Sequence, residues 1–101
     1  MIAEISSHRE ELRELCRRFH VRRLELFGSA AGDDFDPVRS DLDFLVEFER
    51  GAPWAFKTYF GFKESLEALF GRRVDLVEPG AIRNPYFKES IERSREPIFE
   101  A

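Results

Sequence analysis

Cysteine is nearly absent: Cys16 is the one such residue in 101, so it has no partner for an internal disulfide. The fold therefore does not depend on an oxidising compartment. Long apolar runs are missing as well. The opening "MIAEISSHREEL" is charged from Glu4 onward and reads neither as a cleaved leader nor as a membrane span, which makes the cytoplasm the expected location. Positive charge is in short supply, with 16 Lys and Arg against 20 Asp and Glu and a net charge of -4. Binding to nucleic-acid backbone requires a net positive face, so nucleic acid is not an expected partner. Repeats, low-complexity tracts and linkers are also lacking. The length suits one core rather than two, and residues 1–101 are read as a single domain.

What is present is an ordinary globular mixture, 43% hydrophobic and 36% charged, with an unusual share of phenylalanine at eleven residues. An aromatic-rich core is the expected use of that area, and part of it is available for an interface. Ile5, Leu12, Leu15, Cys16 and Phe19 recur at helical spacing and predict an amphipathic helix over 2–19. In that helix Cys16 falls on the apolar face, and His8 and His20 are expected at the surface. "RRLELF" (22–27) alternates as a strand does, and Gly28 to Ser40 reads as a turn and loop. "DLDFLVEF" (41–48) is the strongest strand pattern. A second helix over 54–70 carries a stripe of Ala55, Tyr59, Phe62, Leu66 and Leu69 and ends at Gly71. A strand over 72–79 follows, then a helix over 85–95 bracketed by Pro85 and Pro97, then "PIFE" as a short edge strand. This order suits an α+β fold, a small mixed sheet with helices packed on one face.

One stretch is odd for such a fold. In "LFGSAAGDDFDPVRSDLDFLVEF" an apolar run stops at Gly28-Ser29, and the next strand begins with two carboxylates. Strand alternation sends Asp41 and Asp43 to the same face, where they repel unless a cation lies between them. Asp75 repeats the pattern inside "RRVDLVEP", and joins the other two if its strand is their neighbour. Oxygen ligands on strands suit Mg²⁺, a hard cation that takes one or two carboxylates together with substrate phosphates. Three carboxylates around two such ions fit an in-line displacement at phosphorus. Gly28 lets the backbone approach a ligand closely, and the amides and Ser29 hydroxyl that follow can hold phosphate oxygens. A Cβ at Gly28 is expected to collide with the nucleotide or strain the backbone. Asp33, Asp34 and Asp36 lack the spacing and terminal Glu of a calcium loop.

Gly-Ser, a spacer and Asp-x-Asp together resemble the signature of the DNA polymerase β-type nucleotidyltransferase superfamily. The nearest resemblance is to the minimal nucleotidyltransferases, the MNT or MntA-type antitoxins encoded beside HEPN-domain toxins, and it covers nearly the whole chain. It implies that Gly28 and Ser29 hold the triphosphate of ATP, with Ser40 a further nucleotide contact. It also implies that Asp41 and Asp43 bind Mg²⁺ and that Asp75 ligates metal and takes the proton of the acceptor hydroxyl. Relatives of this type transfer AMP from ATP to a tyrosine of the HEPN toxin, and the resemblance implies that role here, within a homo- or hetero-oligomer. In two respects the chain departs from the pattern: eleven residues separate Ser29 from Asp41 where about ten is the commoner spacing, and it reads "AAGDD" where relatives often carry an Arg and a glycine. Gly32 and Asp33 stand at those positions, and Arg39 reads as an exposed loop arginine, with replacement of the lost charge as the alternative. The altered loop leaves two other readings open, a binding module that neutralises its partner by complex formation, or nucleotidyl transfer to a small molecule or RNA.

Overall fold

The computed structural model describes residues 3–31, 41–52 and 55–101. Eight regular elements follow in order: α1 (Ala3–Ser6), α2 (Arg9–Arg18), β1 (Val21–Phe27), β2 (Leu42–Phe48), α3 (Ala55–Phe70), β3 (Val74–Val77), α4 (Pro85–Ser94) and β4 (Glu96–Glu100). The expected first helix is therefore two. Ser7 Oγ donates to the Glu4 carbonyl at 3.2 Å and His8 Nδ1 lies 2.8 Å from the same oxygen, so side chains compete for an acceptor that the next helical turn needs. His8 is not a plain surface residue either; its ring meets Phe70 edge-on at 5.5 Å. Cys16 is fully buried, and burial pushes its thiol up to about 12, as core packing requires.

The four strands form one mixed sheet in the order β3-β2-β1-β4. β1 pairs antiparallel with both β2 and β4, whereas β2 and β3 run parallel. "PIFE" is thus an edge strand, as its position after the last helix suggests. One face of the sheet presents Leu24, Leu26, Leu42, Phe44, Val46, Val74 and Leu76 to Ile5, Leu12, Cys16, Phe62, Leu66 and Phe70 of α1, α2 and α3. That is the expected helix layer. Ala55, at the start of α3, is exposed and takes no part in its buried stripe. α4 supplies Ile91 to a second, smaller cluster with Phe27 and Leu45, side chains of opposite parity in their strands.

Capping follows local chemistry. Asn84 Oδ1 accepts from the amides of Tyr86 and Phe87 at 2.9 and 3.4 Å, and Pro85 occupies the first position of α4, where its missing N–H does no harm. α3 ends at Gly71, which adopts φ +64° and donates its amide to the Glu67 carbonyl at 2.8 Å.

Candidate active site

Asp41, which is exposed, immediately precedes β2, and Asp43 is the second residue of that strand. Because the core demands Leu42, Phe44 and Val46 on one face, Asp43 is forced to the other. β3 applies the same rule, with Val74 and Leu76 buried and Asp75 exposed. In the parallel pairing Asp43 stands directly opposite Asp75. Two strands about 4.8 Å apart thus place both carboxylates side by side on one face. The expectation that the two strands are neighbours is met, and the sheet joins residues 32 positions apart in sequence.

The electrostatic consequence falls on Asp43. Burial, then Asp75, then Asp41 push its carboxyl up to about 6. All three carboxylates therefore share one field, and a cation beside them would relieve the repulsion. Among the described residues no group of three His, Cys, Asp or Glu closes into a cage for an ion. The donor set fits Mg²⁺ that shares its shell with substrate phosphates, and does not fit an ion enclosed by protein alone.

Gly28 leaves β1 immediately after Phe27, the residue paired with Asp43. Its φ is +75°, and a Cβ there would lie 2.5 Å from Asp43 Oδ2. A Cβ at Gly28 would force the Asp43 carboxylate to shift, in addition to straining the backbone conformation. The Gly28 amide donates to Ser94 Oγ at 3.1 Å. Ser29 follows within a 3-10 turn, Gly28–Ala31, while its side chain lies outside the described set. Ser40, Gly32, Asp33 and Arg39 lie outside the described residues altogether.

Sequence reasoning did not single out the supports of β3. The Tyr59 hydroxyl donates to the Leu76 carbonyl, and Glu67 Oε2 accepts from the Val74 amide at 3.1 Å. These two α3 side chains bracket Asp75 on a strand of only four residues. Burial raises the Tyr59 phenol, with Asp75 and Glu78 adding to the effect. Tyr59 was legible only as part of an apolar stripe. Ser94, 66 positions from Gly28, left no local signal at all. Arg72 grips Glu4 with Nε at 2.9 Å and Nη2 at 3.0 Å. An open groove of about 570 Å³ lined by Arg22, Glu47, Arg50, Glu78 and Arg83 lies toward the other end of β2 and includes none of the three aspartates.

Comparison with known proteins bears on the family and the fold. The nucleotidyltransferase domain family matches residues 6–98. The protein adenylyltransferase MntA of Thermococcus cleftensis is 40% identical over 80 residues, covering 79% of this chain and 75% of its own. A solved structure described provisionally as a minimal nucleotidyltransferase superposes with a TM-score of 0.73 at 35% identity, covering 91% of this chain and 90% of that one. The fold also matches a chain of the solved complex of tri-AMPylated Shewanella oneidensis HEPN toxin with MNT antitoxin. There the TM-score is 0.64 at 14% identity, with 96% of this chain and 73% of that one covered.

Proposed function

The chain belongs to the nucleotidyltransferase domain family as a minimal, polymerase β-like member and is an enzyme of that class, and from that premise we propose that it is a Mg²⁺-dependent protein adenylyltransferase. It transfers AMP from ATP to a hydroxyl, a tyrosine of a HEPN-domain toxin, and thereby acts as the antitoxin of a pair in the cytoplasm. The observation that carries this reading is the alignment of Asp43 with Asp75, with Asp41 close enough to raise Asp43 further. The Thermococcus relative, named for protein adenylylation, supports a protein acceptor.

Asp41, Asp43 and Asp75 would hold Mg²⁺. When bound, the ion lowers the pKa of the acceptor hydroxyl and offsets charge on the phosphates. The Gly28–Ala31 turn holds the triphosphate end of ATP beside Asp43. Asp75, on the exposed side of the pair, accepts the proton of the acceptor hydroxyl. The oxygen then bonds to the α-phosphorus as the bond to the bridging oxygen breaks and pyrophosphate departs. In this scheme Asp41 and Asp43 serve both binding and chemistry, whereas Asp75 serves chemistry above all.

Incubation with α-labelled ATP, Mg²⁺ and the protein encoded by the neighbouring gene tests the proposal. Label should move to the partner, and the partner's tyrosine-to-phenylalanine variant that fails to take up label should identify the acceptor. Asp75→Asn should bind ATP nearly as well as the parent yet transfer about 10²–10⁴-fold more slowly in single-turnover experiments. Label on RNA or a small molecule with none on the partner would overturn the assignment of acceptor.

A further inference from the structure

The last turn of α4 reaches the exit of β1 at two consecutive residues. Arg95, which caps α4, grips Glu25 with Nη2 at 2.6 Å and Nε at 3.0 Å, and Glu25 is only 7% exposed. Ser94, one position earlier, accepts the Gly28 amide at 3.1 Å and donates its own proton toward the Ser90 carbonyl at 3.3 Å. The two contacts anchor one helix end to the strand just before the turn and to the turn itself.

Gly28 needs such an anchor. The antiparallel ladder between β1 and β2 ends at the Phe27–Asp43 pair, so the sheet offers the next amide no further partner in that register. The residue also combines φ +75° with a close approach to the Asp43 carboxylate, a conformation that glycine visits freely and leaves as freely. A fixed acceptor converts that freedom into one orientation. Because its hydroxyl proton is directed to Ser90, the Ser94 oxygen presents lone pairs to Gly28, and the bidentate ion pair next door keeps the oxygen in place.

We propose that Ser94 is a positioning residue for nucleotide binding: its hydroxyl fixes the Gly28 peptide, and with it both the start of the phosphate-holding turn and the space that the Asp43 carboxylate occupies. The role rests on the reading of Gly28-Ser29 as the nucleotide turn. The Gly28 amide is then a structural donor, and the phosphate oxygens are left to the groups that follow it.

Amide exchange in the free protein and ATP·Mg²⁺ affinity by calorimetry test the two halves separately. In Ser94→Ala the Gly28 amide should exchange at least about 10-fold faster than in the parent, and ATP should bind about 10-fold more weakly, the scale of one buried donor left unpaired. Ser94→Thr keeps the hydroxyl and should behave as the parent. Ser94→Cys, a similar shape with a weak acceptor, should fall between and carries the test if the alanine variant does not fold. Ile91→Val thins the packing of the same helix without touching Gly28; it should melt lower and keep parental affinity. Unchanged Gly28 exchange in Ser94→Ala, or a threonine variant as impaired as alanine, overturns the proposal. Affinity lost in Ile91→Val in the same proportion as in Ser94→Ala also overturns it, because general loosening of α4 would then suffice. A parent that binds no ATP overturns the nucleotide reading instead, while the exchange comparison still decides whether Ser94 holds Gly28.

Discussion

Asp43 concentrates the opposing demands on this fold. Strand parity, a parallel neighbour and partial burial all act on one carboxyl and bring it to about 6, so near neutrality the metal-free site holds three mutually repelling acids. Asp43→Asn should abolish AMP transfer and, without Mg²⁺ at pH 7, stabilise the protein. Part of the pKa shift is screened by solvent at this half-buried site, so the gain should be about 1 kcal/mol, a rise in Tm of about 4–8 °C. A lower Tm would mean that the carboxylate is a structural acceptor. Gly28 answers the same acid from the other strand. Gly28→Ala should cost about 1–2 kcal/mol from the left-handed backbone and should also disable transfer, because its Cβ lands on Asp43 Oδ2. Gly71→Ala is the matched control: its φ is +64° with nothing within 4 Å, so it should cost about 1 kcal/mol and leave transfer intact. Denaturant melts alongside single-turnover assays separate the two variants.

At the scale of elements, α4 connects packing to the site. It starts on a side-chain cap at Asn84 and finishes against Gly28 and Glu25. Asn84→Ala should cost about 1 kcal/mol by loss of the cap, while Asn84→Gly should cost only a few tenths, as equilibrium unfolding can measure. Periodicity made most elements legible. The Leu42-Phe44-Val46 alternation, the Phe62-Leu66 spacing and the Pro85 and Gly71 punctuation each fix an element through local chemistry. The three aspartates were legible for the same reason, since a charge breaking a buried alternation is visible within a few residues. The break at Ser7 was not, because side-chain competition for the Glu4 carbonyl overrides an uninterrupted apolar stripe. Tyr59 and Ser94 escaped because their importance lies in what they touch across the fold, at Leu76 and Gly28, and nothing in their neighbouring residues records it.

For the whole molecule, a buried carboxylate and a half-buried one set opposite pH limits. The hydrogen bonds from Arg95 hold Glu25 below the ordinary glutamate value, so its contribution is present above that value and is lost as the pH falls through its folded pKa. Asp43 is raised, so its contribution is complete below the ordinary aspartate value of 3.8 and is lost as the pH rises to about 6. The metal-free protein should therefore be most stable near pH 4–5 as far as these groups decide it, and its Tm should decline toward pH 6 and then level. Saturating Mg²⁺ should flatten that decline by favouring the ionised carboxylates, and Asp43→Asn should remove it; thermal melts across pH with EDTA or Mg²⁺ would show both. A decline that survives Asp43→Asn would place the responsible group elsewhere. The pairing of Asp43 with Asp75 has one more consequence. Slide β3 by a single residue and Asp75 turns into the apolar layer while Val74 and Leu76 turn out to water. If Asp75 has the role proposed for it, a chain folded one step out of alignment would be silent as an enzyme and adhesive as a surface at once. On that assignment activity would report the threading of the sheet, because only this register sets Asp75 beside Asp43.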